Sequence, residues 1–399
     1  MASSARSRKL RWSAPFAAAV VVALIVAIPG LSAADSPSLP AISAQQLITK
    51  VQQVKPVDLS GTINMTTDLG IPNLSALSNA AGGGDHGGPA FSPTDLLAGS
   101  HKALVWLAGP DKTRVALQLD MAETDVVHNG SNIWTWDSST KKVVHYTIAA
   151  DTKPTTPARG DAQAATDPAE AVKTPQQLAD EFLANINPST AVSMAAPISL
   201  AGQKAYQLVL APHAGESTVD HVVIAVDSVT GLPLQVQVFA KGQKKAALSL
   251  GFSSLHYSTP AASRFAFAPP PGSTVTNKTL GGSHDATTAP VTPGTKAQAD
   301  PNAKADPKAQ ADPNANPNAK ADQPVTVGQD WTSVAILKGV QIPRQLNDFL
   351  KAATPVSGSF GQGRVLESSL VNVLVMDDGR VAVGAVSASA LEAAVAAAP

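Results

Sequence analysis

Eight histidines are the side chains best suited to hold a metal or to move a proton. They are His86, His101, His128, His145, His213, His221, His256 and His284. None stands at metal-ligand spacing, and the His-Glu-x-x-His pattern is absent. Asp85-His86 lies in a glycine-rich stretch, where a solvated loop histidine is the simpler reading. Carboxylate pairs occur at Glu123/Asp125 and Asp377/Asp378, both at turn-like positions where a solvated Asp is the default. There is no Gly-x-Ser-x-Gly elbow and no Gly-Lys-Ser/Thr phosphate loop, and Gly358, Gly361 and Gly363 are in the wrong order for a dinucleotide fingerprint. The sharpest feature is a tryptophan pair, Trp134 and Trp136. Two apart on a strand, they project from one face and could stack on a glycan, line an acyl pocket or fill a core.

Composition narrows the chemistry further. The 399 residues contain no cysteine, which excludes thiolate zinc sites, iron–sulfur clusters, cysteine nucleophiles, disulfide scaffolds and a lipid anchor on an N-terminal Cys. The formal charge is −1. Arg6, Arg8, Lys9 and Arg11 are the only charges in the first 34 residues, so the remainder carries 25 basic against 30 acidic groups. A mildly acidic body argues against nucleic acid as a partner. The basic start, the apolar run 16–28, Pro29-Gly30 and the small residues Ser32-Ala33-Ala34 read as a secretory signal over residues 1–34. The alternative is an uncleaved anchor through residues 12–34. Either way the rest is expected to be exported and extracytoplasmic, in the cell envelope or secreted.

Further along, residues 42–54 carry apolar side chains at helical spacing, with Ser43 near the start and Pro56 beyond the end. A second helix is expected over 175–186, with Thr174 as N-cap and Pro175 at its first position. Between and after these helices the period is two, giving about ten or eleven strands. Asn129-Gly130 marks a hairpin of the type I′ class. Residues 79–93 and 151–174 read as loops. The tract 273–324 repeats Ala-Asp-Pro-Asn-Ala-Lys with a six-residue period and has too little apolar mass to order, so it reads as a disordered linker. Residues 325–399 form a small α+β unit, with a helix over 344–352, a hairpin around Asp377-Asp378-Gly379, and a final helix presenting Leu391 and Val395.

Three stretches carry a family resemblance: Trp106-Leu107-Ala108-Gly109-Pro110-Asp111-Lys112-Thr113-Arg114-Val115; Glu123-Thr124-Asp125 followed by residues 129–137 (Asn-Gly-Ser-Asn-Ile-Trp-Thr-Trp-Asp); and Ile224-Ala225-Val226-Asp227, Thr230-Gly231-Leu232-Pro233-Leu234 and Val236-Gln237-Val238. Their order resembles the LolA-like superfamily of periplasmic lipoprotein carriers and RseB/MucB-type sigma-E regulators, most of all its exported actinobacterial members. The resemblance covers roughly residues 41–271. It implies a mainly β, α+β fold: an antiparallel unclosed half-barrel of about 11 strands over residues 35–272, with helices on its concave face. It also implies a non-enzymatic protein without cofactor or metal, holding a lipid or lipoprotein acyl chains between sheet and helices. The alternative is an envelope-stress regulator that binds a membrane partner such as an anti-sigma factor. Candidate cavity residues are Trp106, Val115, Leu117, Leu119, Trp134, Trp136, Tyr206, Leu208 and Leu210 on strands, and Leu47, Val51, Leu178 and Phe182 on the two helices.

Overall fold

The computed structural model describes residues 37–71, 99–119, 122–148, 173–280, 324–340, 350 and 353–398. The signal segment, the glycine-rich stretch 79–93, nearly all of 151–174, most of the repeat tract and all of the expected helix 344–352 but Leu350 lie outside them.

Both expected helices form where their caps dictate. Helix α1 spans Ala44–Gln52 and α2 spans Pro175–Ala184. Ser43 and Thr174 each accept from the backbone N–H three residues on, while Gln46 and Gln177 reach back to the cap N–H. Two reciprocal boxes thus satisfy donors that a helix start leaves open. Leu47, Ile48 and Val51 of α1, and Ala179 and Leu183 of α2, are buried.

These helices cover one face, the inner face, of a twelve-stranded sheet. Its strands are β1 (Leu59–Thr67), β2 (Gly99–Leu107), β3 (Lys112–Gln118), β4 (Glu123–Asn129), β5 (Asn132–Asp137), β6 (Lys142–Ile148), β7 (Thr190–Leu200), β8 (Gln203–Pro212), β9 (Val219–Asp227), β10 (Pro233–Ala240), β11 (Ala246–His256) and β12 (Thr274–Leu280). Two meanders, β1 to β6 and β7 to β11, join where β1 pairs with β11. The edges are β7 and β12, so the sheet does not close. The sheet runs past the expected boundary at residue 272: β12 lies parallel to β6 and caps the edge that β6 would otherwise expose. The β4–β5 turn also differs from expectation. Asn129 pairs with Asn132, so Gly130 is the first central residue, and it alone of the two has positive φ (62°). That is the pattern of a type II′ turn, which places glycine first.

A second, six-stranded antiparallel sheet has the order β13-β14-β18-β17-β16-β15. It is built from β13 (Val325–Val327), β14 (Val334–Leu337), β15 (Thr354–Gly358), β16 (Gly361–Leu366), β17 (Asn372–Met376) and β18 (Val381–Gly384). Helix α3 (Ala388–Ala397) covers one face, burying Leu391, Ala394 and Val395. This unit is stitched to the first sheet. Thr218 N–H donates to Ala385 O at 2.9 Å, Ser387 N–H to Glu216 O at 3.1 Å and Ser369 N–H to Leu69 O at 2.8 Å. Leu370, 7% exposed, belongs to the same core cluster as Leu47 and Leu208. Trp331 donates its indole N–H to Thr190 Oγ1 at 2.8 Å, and its ring stacks on Phe182 of α2.

Core packing fixes where α1 rests. Its C-terminal turn sits over the β9–β10 turn, where Lys50 donates to Ser228 O. Gly231 has φ of 80°, and a Cβ there would lie 2.9 Å from Lys50 Cγ and 3.0 Å from Lys50 O. Gly202, between β7 and β8, has the same φ with nothing within 4 Å. Left-handed backbone costs a non-glycine residue about 1–2 kcal/mol. Gly202→Ala is therefore expected to lose about 1 kcal/mol in urea unfolding and Gly231→Ala at least about twice that; equal losses would show that α1 does not press on this turn.

Candidate functional site

Period-two alternation sorts the strand residues between faces. On the inner face Ile63 pairs with Ala103 and Ala103 with Leu117; Met65 pairs with His101 and with Leu250; Val105 pairs with Val115. Together with Leu248, and with Lys173, Thr174 and Leu178 at the start of α2, these residues line a cavity of about 150 Å³. Its space has a local cause: Ala103, 4% exposed, offers only a methyl group between Ile63 and Leu117. A space of ~150 Å³ with mainly apolar walls accepts a benzene-sized apolar group. A longer chain needs α2 to shift.

Of the cavity candidates named from the sequence, Val115, Leu117 and Leu178 line this space. Leu119 packs beside it, against the pair Ala103 and Leu117. Tyr206, Leu208, Leu210, Leu47 and Val51 share the inner side but form solid core where α1 and α2 close on β7 to β11; Phe182 packs against that core from α2. Tyr206 donates its hydroxyl to Pro40 O at 2.8 Å.

Trp106, Trp134 and Trp136 lie on the opposite face. One row crosses five strands: Trp106, Arg114, Val127, Trp134 and His145, each paired with the next. Trp136 pairs with Asp125 in the adjoining row. A 3-10 turn, Ala262–Phe265, packs on β3 and β4 from this outer side, with Phe265 1% exposed. The tryptophans are fillers beneath and beside it. Arg114 and Arg264 sit over the Trp106 ring at 5.5 and 5.3 Å, and Trp134 lies between His145 and Phe267. The spacing of Trp134 and Trp136 correctly placed both on one face; which face depends on the pairing register.

Members of the carboxylate pairs are held by arginine. Arg114 grips buried Asp125 through two contacts, Nε to Oδ1 at 3.2 Å and Nη2 to Oδ2 at 2.5 Å. Arg380 holds Asp378 at 2.8 Å. Burial, reinforced by the charge of Asp125, pushes the Glu123 carboxyl above the ordinary range, with Arg114 opposing. Tyr257 donates to Asp227 Oδ2 at 2.6 Å, and burial first and this bond second push its phenol well up. Asp227 also accepts from the Val229 and Thr230 N–H groups, which makes this network the scaffold of the β9–β10 turn. Among the described residues no three His, Asp or Glu side chains converge as a metal site. Nor is any described helix long and apolar enough to cross a membrane.

The residues that sequence reasoning missed are Ile63, Met65, His101, Ala103, Val105, Leu248, Leu250, Lys173 and Thr174. Their alternation was a usable signal on β1 and β2; the pairing that gathers four strands was not.

The geometry is that of an open, mainly antiparallel sheet with helices across one face. No protein-family model and no curated protein matches the chain. Among solved structures it is similar to MucB in complex with MucA(peri), at 13% identity and TM-score 0.39, covering 88% of this chain and 97% of that one. The Pseudomonas aeruginosa MucA/MucB complex gives 13% identity and 0.38, over 88% and 95% of the two chains. A LolA superfamily protein from Nitrosomonas europaea gives 11% and 0.21, over 57% and 99%.

Three substitutions check the outer face. Arg114→Met strands the Asp125 carboxylate, 4% exposed, and should cost about 3 kcal/mol in chemical unfolding. Adding Asp125→Asn should recover part of that loss, a coupling that a double-mutant cycle measures. Glu123 is a raised carboxyl, so its charged form opposes folding. Glu123→Gln should therefore stabilise at neutral pH, with the gain shrinking to nothing as pH falls below the ordinary glutamate range.

Proposed function

We propose that this chain is an extracytoplasmic, non-enzymatic binding protein that holds an apolar chain, from a lipid or a lipoprotein's acyl group, between the sheet and α2. One observation carries the reading: the cavity over β1, β2, β3 and β11 is lined almost wholly by aliphatic side chains and roofed by the first turns of a ten-residue helix. Affinity in such a site comes from burying methylenes, at about 0.8 kcal/mol each. Apolar walls with a few polar groups at one side are the usual make-up of a small-molecule site. Export of the chain rests on the basic and apolar pattern of residues 1–34.

A regulator of RseB/MucB type, gripping a membrane anti-sigma factor, is the second reading. It is favoured by the stacking of Trp331 on Phe182, since the helix that roofs the cavity touches the second sheet's unit directly. Crosslinking in host membranes followed by pull-down checks it; recovery of no membrane protein would count against it.

Ala103→Leu should fill the cavity. The expected result is at least a tenfold loss of affinity for an apolar probe, with thermal stability unchanged or raised. Native mass spectrometry of protein from its host should show a bound lipid in the parent chain and none in the variant. Unchanged binding in the variant would sink the reading.

A further inference from the structure

The cavity is graded from end to end. Along β2, His101 is partly exposed, Ala103 is 4% exposed and Val105 is 1% exposed. Met65 pairs with His101, so the same end of β1 also lies toward solvent. The polar side chains that line the space are His101 and, at the start of α2, Lys173 and Thr174. The cavity is thus largely aliphatic, with an ammonium, a hydroxyl and an imidazole as the polar groups of its lining.

Lys173 is the decisive group. Its Nζ lies 2.5 Å from Glu181 Oε1, in a pair about half exposed on each side. An ammonium has three donors, so one carboxylate leaves capacity for a second anion. Glu181 is also the nearest identified opposing charge, and it competes with any anion for Lys173.

We propose that the ligand is a single-chain anionic amphiphile, a carboxylate or phosphate on one apolar tail, with its head at Lys173 and its tail running along β2 toward Val105. This rests on the apolar-cavity reading and narrows it to a ligand class.

Titration calorimetry on the full chain with octanoate, octyl phosphate, octanol and octylamine tests both levels separately. Octanol binding reports the cavity alone. The inference expects octanoate or octyl phosphate to bind about three- to tenfold tighter than octanol, and octylamine more weakly. It expects Lys173→Gln to weaken octanoate and octyl phosphate several-fold more than octanol, so that the anionic preference is lost, and Glu181→Gln to enlarge that preference. The two variants move in opposite directions, which a merely structural role for the ion pair does not produce. Circular dichroism verifies that each is folded, and Glu181→Gln decides should Lys173→Gln fail to fold. A preference for octyl phosphate over octanoate assigns the head to phosphate chemistry, and the reverse to a fatty acid. Equal binding of all four probes overturns the headgroup inference and leaves the cavity reading standing; binding of none overturns both.

Discussion

An open twelve-stranded sheet presents an inner face that is largely apolar over β1 to β3 and β7 to β11, and among the described residues two helices, of nine and ten residues, lie across it. They cannot cover all of it. Both settle toward the β7 to β11 half, α1 on β7 and β8, α2 on β10 and β11. There they meet Tyr206, Leu208, Leu210, Val222, Ile224 and Val236 and build a solid core. Among the described residues, the start of α2 is what reaches across β1 to β3. The cavity lies on the part of the inner face that these two helices leave over, and Ala103 keeps it from being filled by side chains. In a close-packed interior such a space is an exception that calls for an explanation.

The outer face meets the same demand differently. Segment 258–272 lays Phe265 onto β3 and β4, and Asn129 donates through its side chain to Phe265 O. Charge is handled in place: Arg114 spans Trp106, Asp125 and Arg264 O, so one guanidinium serves a ring, a carboxylate and a carbonyl. Packing there takes up Trp106, Trp134 and Trp136, and the cavity on the inner face is lined mainly by aliphatic side chains.

Much of this was legible in the residues. Ser43 with Gln46 and Thr174 with Gln177 are local signals, and both helices start where those signals say. Leu391 and Val395 were recognisable as one helical face for the same reason. What local pattern does not contain is long-range register. The tryptophan pair shares a face by spacing alone, but its placement on the outer side follows from pairing Trp134 with Val127 and Val127 with Arg114. Ile63 and Leu250 are far apart in the chain, and only the β1–β11 junction makes them neighbours. The strand β12 was invisible because Thr, Asn and Lys dominate it, and its place comes from the edge it covers.

The insertion of Leu370 has a consequence for how the chain can be divided. A cut in the repeat tract looks natural by composition, since low-complexity sequence separates two folded units. Yet the core that holds Leu47 and Leu208 also holds Leu370, with Ala385 and Trp331 packed against it. A fragment ending before residue 324 keeps every strand of the large sheet but exposes the seat of Leu370 to water and leaves Glu216 O and Leu69 O without their donors. The boundary visible in composition is therefore not a thermodynamic one: truncation there removes part of the first unit's own interior.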